Sequence, residues 1–337
     1  MKNANTHKAF FRLEASQAIG AGHAIRSLVI ADALLEKGWQ CIIATSETSY
    51  NFIEDLKRYE RIDPQVFFQI KPDADLLVID SYDLEYGYEA YFRQSIKKIM
   101  VIDDLANRNY NCDILLDQTY GRNPHDYKHL VPKECMLLMG SKNALIRKEF
   151  TQLRAKALIK RERLIDVKRI LISLGGSDPG NHTLKALEII KRSGFSGMVE
   201  LVIGFFNQNH VLIETYLRDY PLKVDVHINP NMPKLTYESD LAIGAAGSSM
   251  WERCCLGLPT LMMVYSQDQT LIAQNLQNSN IAINLGMIDV IDLNDAAIKL
   301  TNLIEDISGI KKLSKNAFSI CDGRGIDTII KEIKGVH

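Results

Sequence analysis

The sequence of 337 residues has no window of about 18 consecutive apolar residues, so nothing in it reads as a membrane-spanning helix. Its six cysteines, Cys41, Cys112, Cys135, Cys254, Cys255 and Cys321, form no C-x-x-C pair and no cysteine/histidine group with zinc spacing. That pattern argues against structural zinc and for reduced thiols. Excess charge of either sign is missing too: 40 Lys and Arg face 41 Asp and Glu, which gives no general attraction to nucleic acid or to an anionic membrane surface. Met1–Lys8 is polar and lacks the apolar core of a signal peptide, so the expectation is a soluble cytoplasmic protein. Two nucleotide motifs are absent. No loop supplies Gly-x-x-x-x-Gly-Lys-Ser/Thr, and Gly20-x-Gly22 lacks the third glycine of the dinucleotide fingerprint because Ile25 stands there, although Glu47 could mimic the ribose acid. An Asp73-x-Asp75 pair precedes its strand, the wrong end of a parallel sheet for holding a metal against a diphosphate, so no metal and no cofactor is expected.

What is present is organised around Ile19-Gly20-Ala21-Gly22-His23-Ala24-Ile25-Arg26. It joins the apolar run Ala9–Glu14 to a segment whose Ala24, Leu28, Ala31 and Leu35 recur at helical spacing before Gly38, which reads as strand, glycine turn, helix. Two glycines let the backbone approach a ligand, and the first N–H groups of the helix carry partial positive charge. A neutral imidazole at His23 could accept a proton from water there, and equally His23 could be only a cap on a tight turn. Cys41–Thr45 reads as a second strand and Gln65–Ile70 as a third. Asp75–Asp80, Lys98–Ile102 and Asp113–Leu116 are continuous apolar runs of the kind buried on both faces of a parallel sheet. Their carboxyl edges carry Asp80-Ser81-Tyr82, Asp103-Asp104 and Asp117-Gln118, where open α/β sheets bind ligands and where acids also cap helices.

The length suggests two domains. The charged helical stretch 151–168 reads as a solvated linker between an N-terminal domain, 1–150, and a C-terminal domain, 169–337. The second half repeats the pattern: strand Arg169–Leu174, loop Gly175-Gly176-Ser177-Asp178-Pro179-Gly180-Asn181, then a helix from His182. Further on, Gly244-Ala245-Ala246-Gly247-Ser248-Ser249-Met250-Trp251-Glu252 sets two hydroxyls and a carboxylate at a small-residue turn. Hydroxyls and N–H groups suit phosphate oxygens, and a carboxylate accepts paired bonds from ribose; the alternative is Ser capping a helix with Glu252 in its first turn. The expected fold class is α/β, two Rossmann-like domains facing across a cleft.

Ile19–Arg26, Val101-Ile102-Asp103-Asp104-Leu105, Cys112–Asp117, Leu145–Phe150, Gly175–Asp178, Trp251–Pro259 and Cys321–Gly325 together resemble one family in order and spacing. It is the UDP-2,4-diacetamido-2,4,6-trideoxy-β-L-altropyranose hydrolase family of pseudaminic acid biosynthesis, a GT-B-fold relative of the UDP-GlcNAc glycosyltransferase that makes lipid II. The resemblance implies that His23 is the catalytic base; Gly22 is a candidate substrate contact beside it, and Arg26, three residues on along the same helix, either contacts the same ligand or faces solvent. It implies that Tyr82 is an active-site tyrosine, that Asn181 and Glu252 bind substrate with Glu252 at the ribose, and that Gly247, Ser248 and Ser249 contact the diphosphate. Asp268-Gln269 falls where GT-B relatives contact the sugar. Two positions depart from the pattern: Glu14 replaces the usual Asp, and Ala246 stands where glycine is common. The implied substrate is a UDP-linked diacetamido trideoxy sugar with water as acceptor. A GT-B glycosyltransferase using a UDP-amino sugar donor, and a non-catalytic nucleotide-sugar binder, are the alternatives.

Overall fold

The computed structural model describes residues 7–335 apart from 177, 179, 205, 206, 266 and 267. The chain forms two compact units, residues 1–146 with 323–337, and residues 147–322. The first unit contains β1 (Lys8–Leu13), α1 (Gly22–Leu35), β2 (Gln40–Ala44), α2 (Glu47–Phe52), β3 (Glu60–Ile62), α3 (Pro64–Ile70), β4 (Ala74–Asp80), α4 (Tyr86–Phe92), β5 (Ile96–Ile102), β6 (Ile114–Asp117) and β7 (Met136–Met139). The second contains α5 (Lys148–Glu162), β8 (Arg169–Ser173), α6 (His182–Arg192), β9 (Met198–Ile203), α7 (His210–Arg218), β10 (Val224–Ile228), α8 (Met232–Glu238), β11 (Leu241–Ala245), α9 (Ser249–Cys255), β12 (Thr260–Val264), α10 (Asp268–Asn278), β13 (Ile283–Met287), α11 (Leu293–Glu305) and α12 (Ile307–Ile320). A last helix, α13 (Gly325–Gly335), belongs to the first unit.

Each unit is a parallel sheet with helices on both faces. The strand orders are β3-β2-β1-β4-β5-β6-β7 and β10-β9-β8-β11-β12-β13. Burial on both faces is why the strands read as unbroken apolar runs. Along β4, Leu76 and Val78 enter the core beneath α1, while Leu77 and Ile79 enter the opposite core with Phe67 and Phe92. On α1 the buried stripe includes Ala24, Leu28, Ala31 and Leu34; Leu35, expected in that stripe, is exposed, and Gly38 in the left-handed region follows it.

Three expectations are corrected. Gln65–Ile70 is helix, not strand: Asp63 caps the amides of Gln65 and Val66, Pro64 sits at the first helical position, and the third strand is Glu60–Ile62. Residues 151–168 are not a solvated linker, because α5 lies within the second unit and its cations hold helix-end carbonyls. Arg154 donates to the carbonyls of Cys255 (2.7 Å), Cys321 (2.9 Å) and Phe318 (2.9 Å), and buried Arg161 donates to those of Ser239 and Thr236. Residues 323–337 leave the second unit for the first. There Ile329, Ile330 and Ile333 join the core under α1, and Lys98 Nζ donates to the carbonyls of Glu332 (3.0 Å) and Ile333 (2.6 Å), closing the end of α13.

Burial pulls the Arg161 guanidinium down to about 10 because Asp240 offsets only part of the desolvation, and the guanidinium sits among the carbonyls it serves. Arg161→Met removes the donor to the Thr236 carbonyl and leaves the Ser239 carbonyl to Lys160 Nζ (3.0 Å), and a loss of about 1–3 kcal/mol is expected. An unfolding midpoint unmoved by the substitution would show that the carbonyls find other donors.

Candidate functional site

In an open parallel sheet the crevice forms where successive connections leave in opposite directions. In the first unit that point lies between β1 and β4, the two strands paired Leu13 to Asp80. The chain leaving β1 returns as α1, opening at Gly22, and sets His23 against the end of β4. His23 Nδ1 lies 2.5 Å from Asp80 Oδ1. Arg26, one turn on, donates through Nε to Asp80 Oδ2 (2.7 Å) and through Nη2 to Oδ1 (2.6 Å), and Ser27 Oγ donates to Oδ2 (3.2 Å). Asp80 is 1% exposed. Burial disfavours its charge, but Arg26 and then His23 hold the carboxyl well below the usual carboxylate range.

A charged carboxylate at that distance places the ring proton on Nδ1, which donates to Asp80 and leaves the lone pair on Nε2; this tautomer is assigned from the geometry. Among the described residues no hydrogen bond is made at Nε2. Arg26 Nη1 also donates to Asp104 Oδ2 (3.2 Å), and Tyr82 OH donates to Asp104 Oδ1 (2.5 Å). Burial works against the Arg26 charge, and the carboxylates of Asp80 and Asp104 more than restore it. The Tyr82 ring stands edge-on to His23 at 4.8 Å between centroids, and burial beside Asp104 pushes its phenol above the ordinary range. Thus Gly22, His23, Arg26 and Tyr82 come together in the structure, joined by two acids that read in the sequence only as strand edges, Asp80 and Asp104. Glu14 serves a different purpose. It accepts from Ser46 Oγ (2.6 Å) and Ser49 Oγ (2.5 Å), tying the turn after β1 to the start of α2. Its carboxyl is lowered by those serines and Arg12 against the effect of burial.

In the second unit the corresponding point lies between β8 and β11. After β8, Gly175 is in the left-handed region and Asp178 caps α6 through the amides of His182 (2.8 Å) and Thr183 (3.0 Å). Ser177 and Pro179 lie outside the described residues. Asn181, also left-handed, opens α6 with its Oδ1 buried and without a hydrogen-bond partner among the described residues. After β11 come Ala246, Gly247 and Ser248, then α9. Ala246 is 2% exposed and is not in the left-handed region, so the conformation tolerates alanine. The Ser248 side chain makes no cap bond, whereas Ser249 Oγ accepts from Arg253 Nη1 (3.1 Å).

Arg253, missed in the sequence, is buried under this turn and also donates to the Ala245 carbonyl (2.5 Å). A Cβ at Gly244 would come within 2.8 Å of its guanidinium, which explains the glycine. Burial pulls Arg253 down to about 10. Glu252 Oε1 accepts from Arg147 Nε (2.8 Å). Gln269 Oε1 accepts from the Tyr265 amide (3.1 Å), while the Asp268 side chain lies outside what is described. The second unit therefore gathers Asn181, Gly247, Ser248, Ser249, Glu252 and Gln269 on connections that follow β8, β11 and β12. Among the described residues no three His, Cys, Asp or Glu side chains are placed to share a metal ion, and no helix is long and apolar enough to cross a membrane.

No protein-family model matches the chain. It is 26% identical to the uncharacterized protein MJ1062 of Methanocaldococcus jannaschii over 271 residues, which covers 76% of this chain and 55% of MJ1062. The chain thus spans about half the length of that relative. It is also 26% identical to the UDP-2,4-diacetamido-2,4,6-trideoxy-beta-L-altropyranose hydrolase of Campylobacter jejuni over 272 residues, covering 78% of this chain and 93% of the hydrolase. Among solved structures, MurG of Acinetobacter baumannii superposes with a TM-score of 0.71 at 14% identity, covering 98% of this chain and all of MurG. One of these distant relatives is named for a UDP-linked sugar, and the chain itself has the GT-B fold, two Rossmann-like parallel-sheet units on one polypeptide.

Proposed function

We propose that this protein hydrolyses UDP-2,4-diacetamido-2,4,6-trideoxy-β-L-altropyranose to the free sugar and UDP, a step of pseudaminic acid biosynthesis. The observation that carries the reading is the His23–Asp80 pair at the β1/β4 crevice, a histidine held in one tautomer with its outer nitrogen unspent. Likeness to the Campylobacter hydrolase across 93% of its length supports the substrate.

In the reaction Nε2 of His23 takes a proton from water as the water oxygen bonds to the anomeric carbon, and the bond from that carbon to the β-phosphate oxygen breaks. Asp80 and Arg26 fix the ring, and Asp80 stabilises the imidazolium as it forms, as the acid of a catalytic triad does. UDP is a good leaving group, so hydroxyls and backbone N–H groups at Gly247, Ser248 and Ser249 suffice for the developing charge. Asn181, Gln269 and Glu252 bind substrate, Glu252 taking the ribose hydroxyls while Arg147 holds its Oε1. A single displacement inverts the anomeric configuration.

His23→Asn is expected to lower turnover by at least about a hundredfold with UDP affinity, measured by calorimetry, unchanged. Turnover near normal would make His23 a structural cap. In ¹⁸O-water with excess chelator, the label should enter the C1 hydroxyl of the sugar and not UDP. Label in UDP would mean attack at phosphorus, and UDP release only on addition of a sugar acceptor would mark a glycosyltransferase.

Asp80 also sets an acid limb of stability. A carboxyl depressed in the folded state stabilises fully above its unfolded value, near about pH 4, and that contribution is lost as the pH falls toward the folded value. Asp80→Asn should lower the unfolding midpoint at neutral pH and flatten its decline below about pH 4. The same acid limb in both proteins would assign it to other carboxylates.

A further inference from the structure

Across the sheet of the first unit from the His23–Asp80 pair lies a cavity of about 340 Å³ lined by Arg12, Pro64, Gln65, Phe68, Gln69 and Tyr88. Strand parity sets the side: Phe11 and Leu13 enter the core beneath α1, whereas Phe10 enters the opposite core with Phe67, and Arg12 shares the side of Phe10. Its volume is at the lower end of the range for small-molecule pockets, about 300–1,000 Å³.

The polar groups of this cavity are only partly employed by the protein. Arg12 Nη1 donates to the Leu13 carbonyl (2.9 Å) and to Glu14 Oε1 (2.7 Å), and among the described residues no hydrogen bond is made by Nε or Nη2. The Tyr88 hydroxyl is buried without a hydrogen-bond partner among the described residues. Burial pushes its phenol up to about 12 while the Arg12 guanidinium, first through its charge and then through its contact with the hydroxyl, pulls the other way, so the two groups face one another in the cavity. Gln65 and Gln69 stand one turn apart on α3, and Phe68 between them is 40% exposed. A buried hydroxyl beside a half-used guanidinium is a donor set that calls for acceptors.

We propose that this cavity is a second small-molecule site, which takes a carboxylate carried on a compact body with hydroxyl or acetamido groups, as in a sugar acid. The carboxylate oxygens accept from Arg12 Nε and Nη2 and from Tyr88 OH, the geometry in which an arginine fork binds two oxygens. Phe68 packs against the apolar face of the ligand, and the carboxamides of Gln65 and Gln69 serve its amide or hydroxyl groups. A monoanion fits better than a phosphate dianion because Glu14 already offsets part of the Arg12 charge.

Calorimetry on the full chain with N-acetylneuraminate as probe should give saturable binding with a Kd of about 1 mM or tighter. N-acetylmannosamine, an acetamido sugar without the carboxylate, should bind at least about tenfold more weakly. Tyr88→Phe is the decisive variant, because it removes a hydroxyl whose proton has no acceptor among the described residues. The unfolding midpoint should hold while probe affinity falls about five- to tenfold. Arg12→Gln should abolish probe binding and keep UDP binding, which separates failure of this site from failure of the proposed hydrolase. No saturable binding up to about 20 mM, equal binding of the two probes, or unchanged affinity in both variants overturns the proposal.

Discussion

A carboxylate with almost no exposure, Asp80, is the constraint on which the rest of the first unit's site depends. Removing one partner of such a charge costs about 3–5 kcal/mol, so its neighbours are fixed as firmly as a core side chain is. Arg26 and His23 answer it from one turn of α1, and Arg26 brings Asp104 with it. Asp104 in turn holds Tyr82, and its own backbone carbonyl accepts from Arg122 Nη2 (2.5 Å). Arg122 is anchored on Asp117 (2.6 Å), and the Tyr127 hydroxyl joins Asp117 to Asp103 at 2.7 Å each. Each member is held by the next. The imidazole is thereby oriented by the carboxyl ends of three adjacent strands, β4, β5 and β6.

The two units solve the same topological problem with different chemistry. In both, the crevice lies where the sheet's connections diverge, at β1/β4 and at β8/β11. The first fills it with paired charges. The second fills it with small residues and backbone, backed by the buried guanidinium of Arg253 beneath the Gly244–Ser249 turn. Charges pointed at one another suit proton transfer, whereas exposed N–H groups and hydroxyls suit an anion that arrives already charged.

Much of this was legible in the sequence. Strands such as Asp75–Asp80 are legible because burial on both faces leaves no polar position, and Gly20 with Gly22 marks the turn that delivers His23. The α3 segment was misread because Val66, Phe68 and Ile70 alternate as in a strand, yet all three are exposed; the Asp63-Pro64 start is the local signal that wins. Asp80 looked like any strand-edge acid, since its partners are 54 and 57 positions away and only the sheet order makes them neighbours. The charges of α5 looked solvated for a similar reason: the carbonyls they serve lie about 75 to 170 positions along the chain. In both cases the missing information is long-range pairing, which composition does not carry.

The return of α13 to the first unit has a consequence for biosynthesis. Ile329, Ile330 and Ile333 complete the core under α1, yet they emerge only after every residue of the second unit has been made. During vectorial synthesis the first unit must therefore wait, with the apolar face that α13 covers still open, while 147–322 is translated and has all its own strands to hand. The second unit is the one able to finish first, and the interval before α13 emerges is when the unfinished sheet is most exposed to a chaperone or to aggregation.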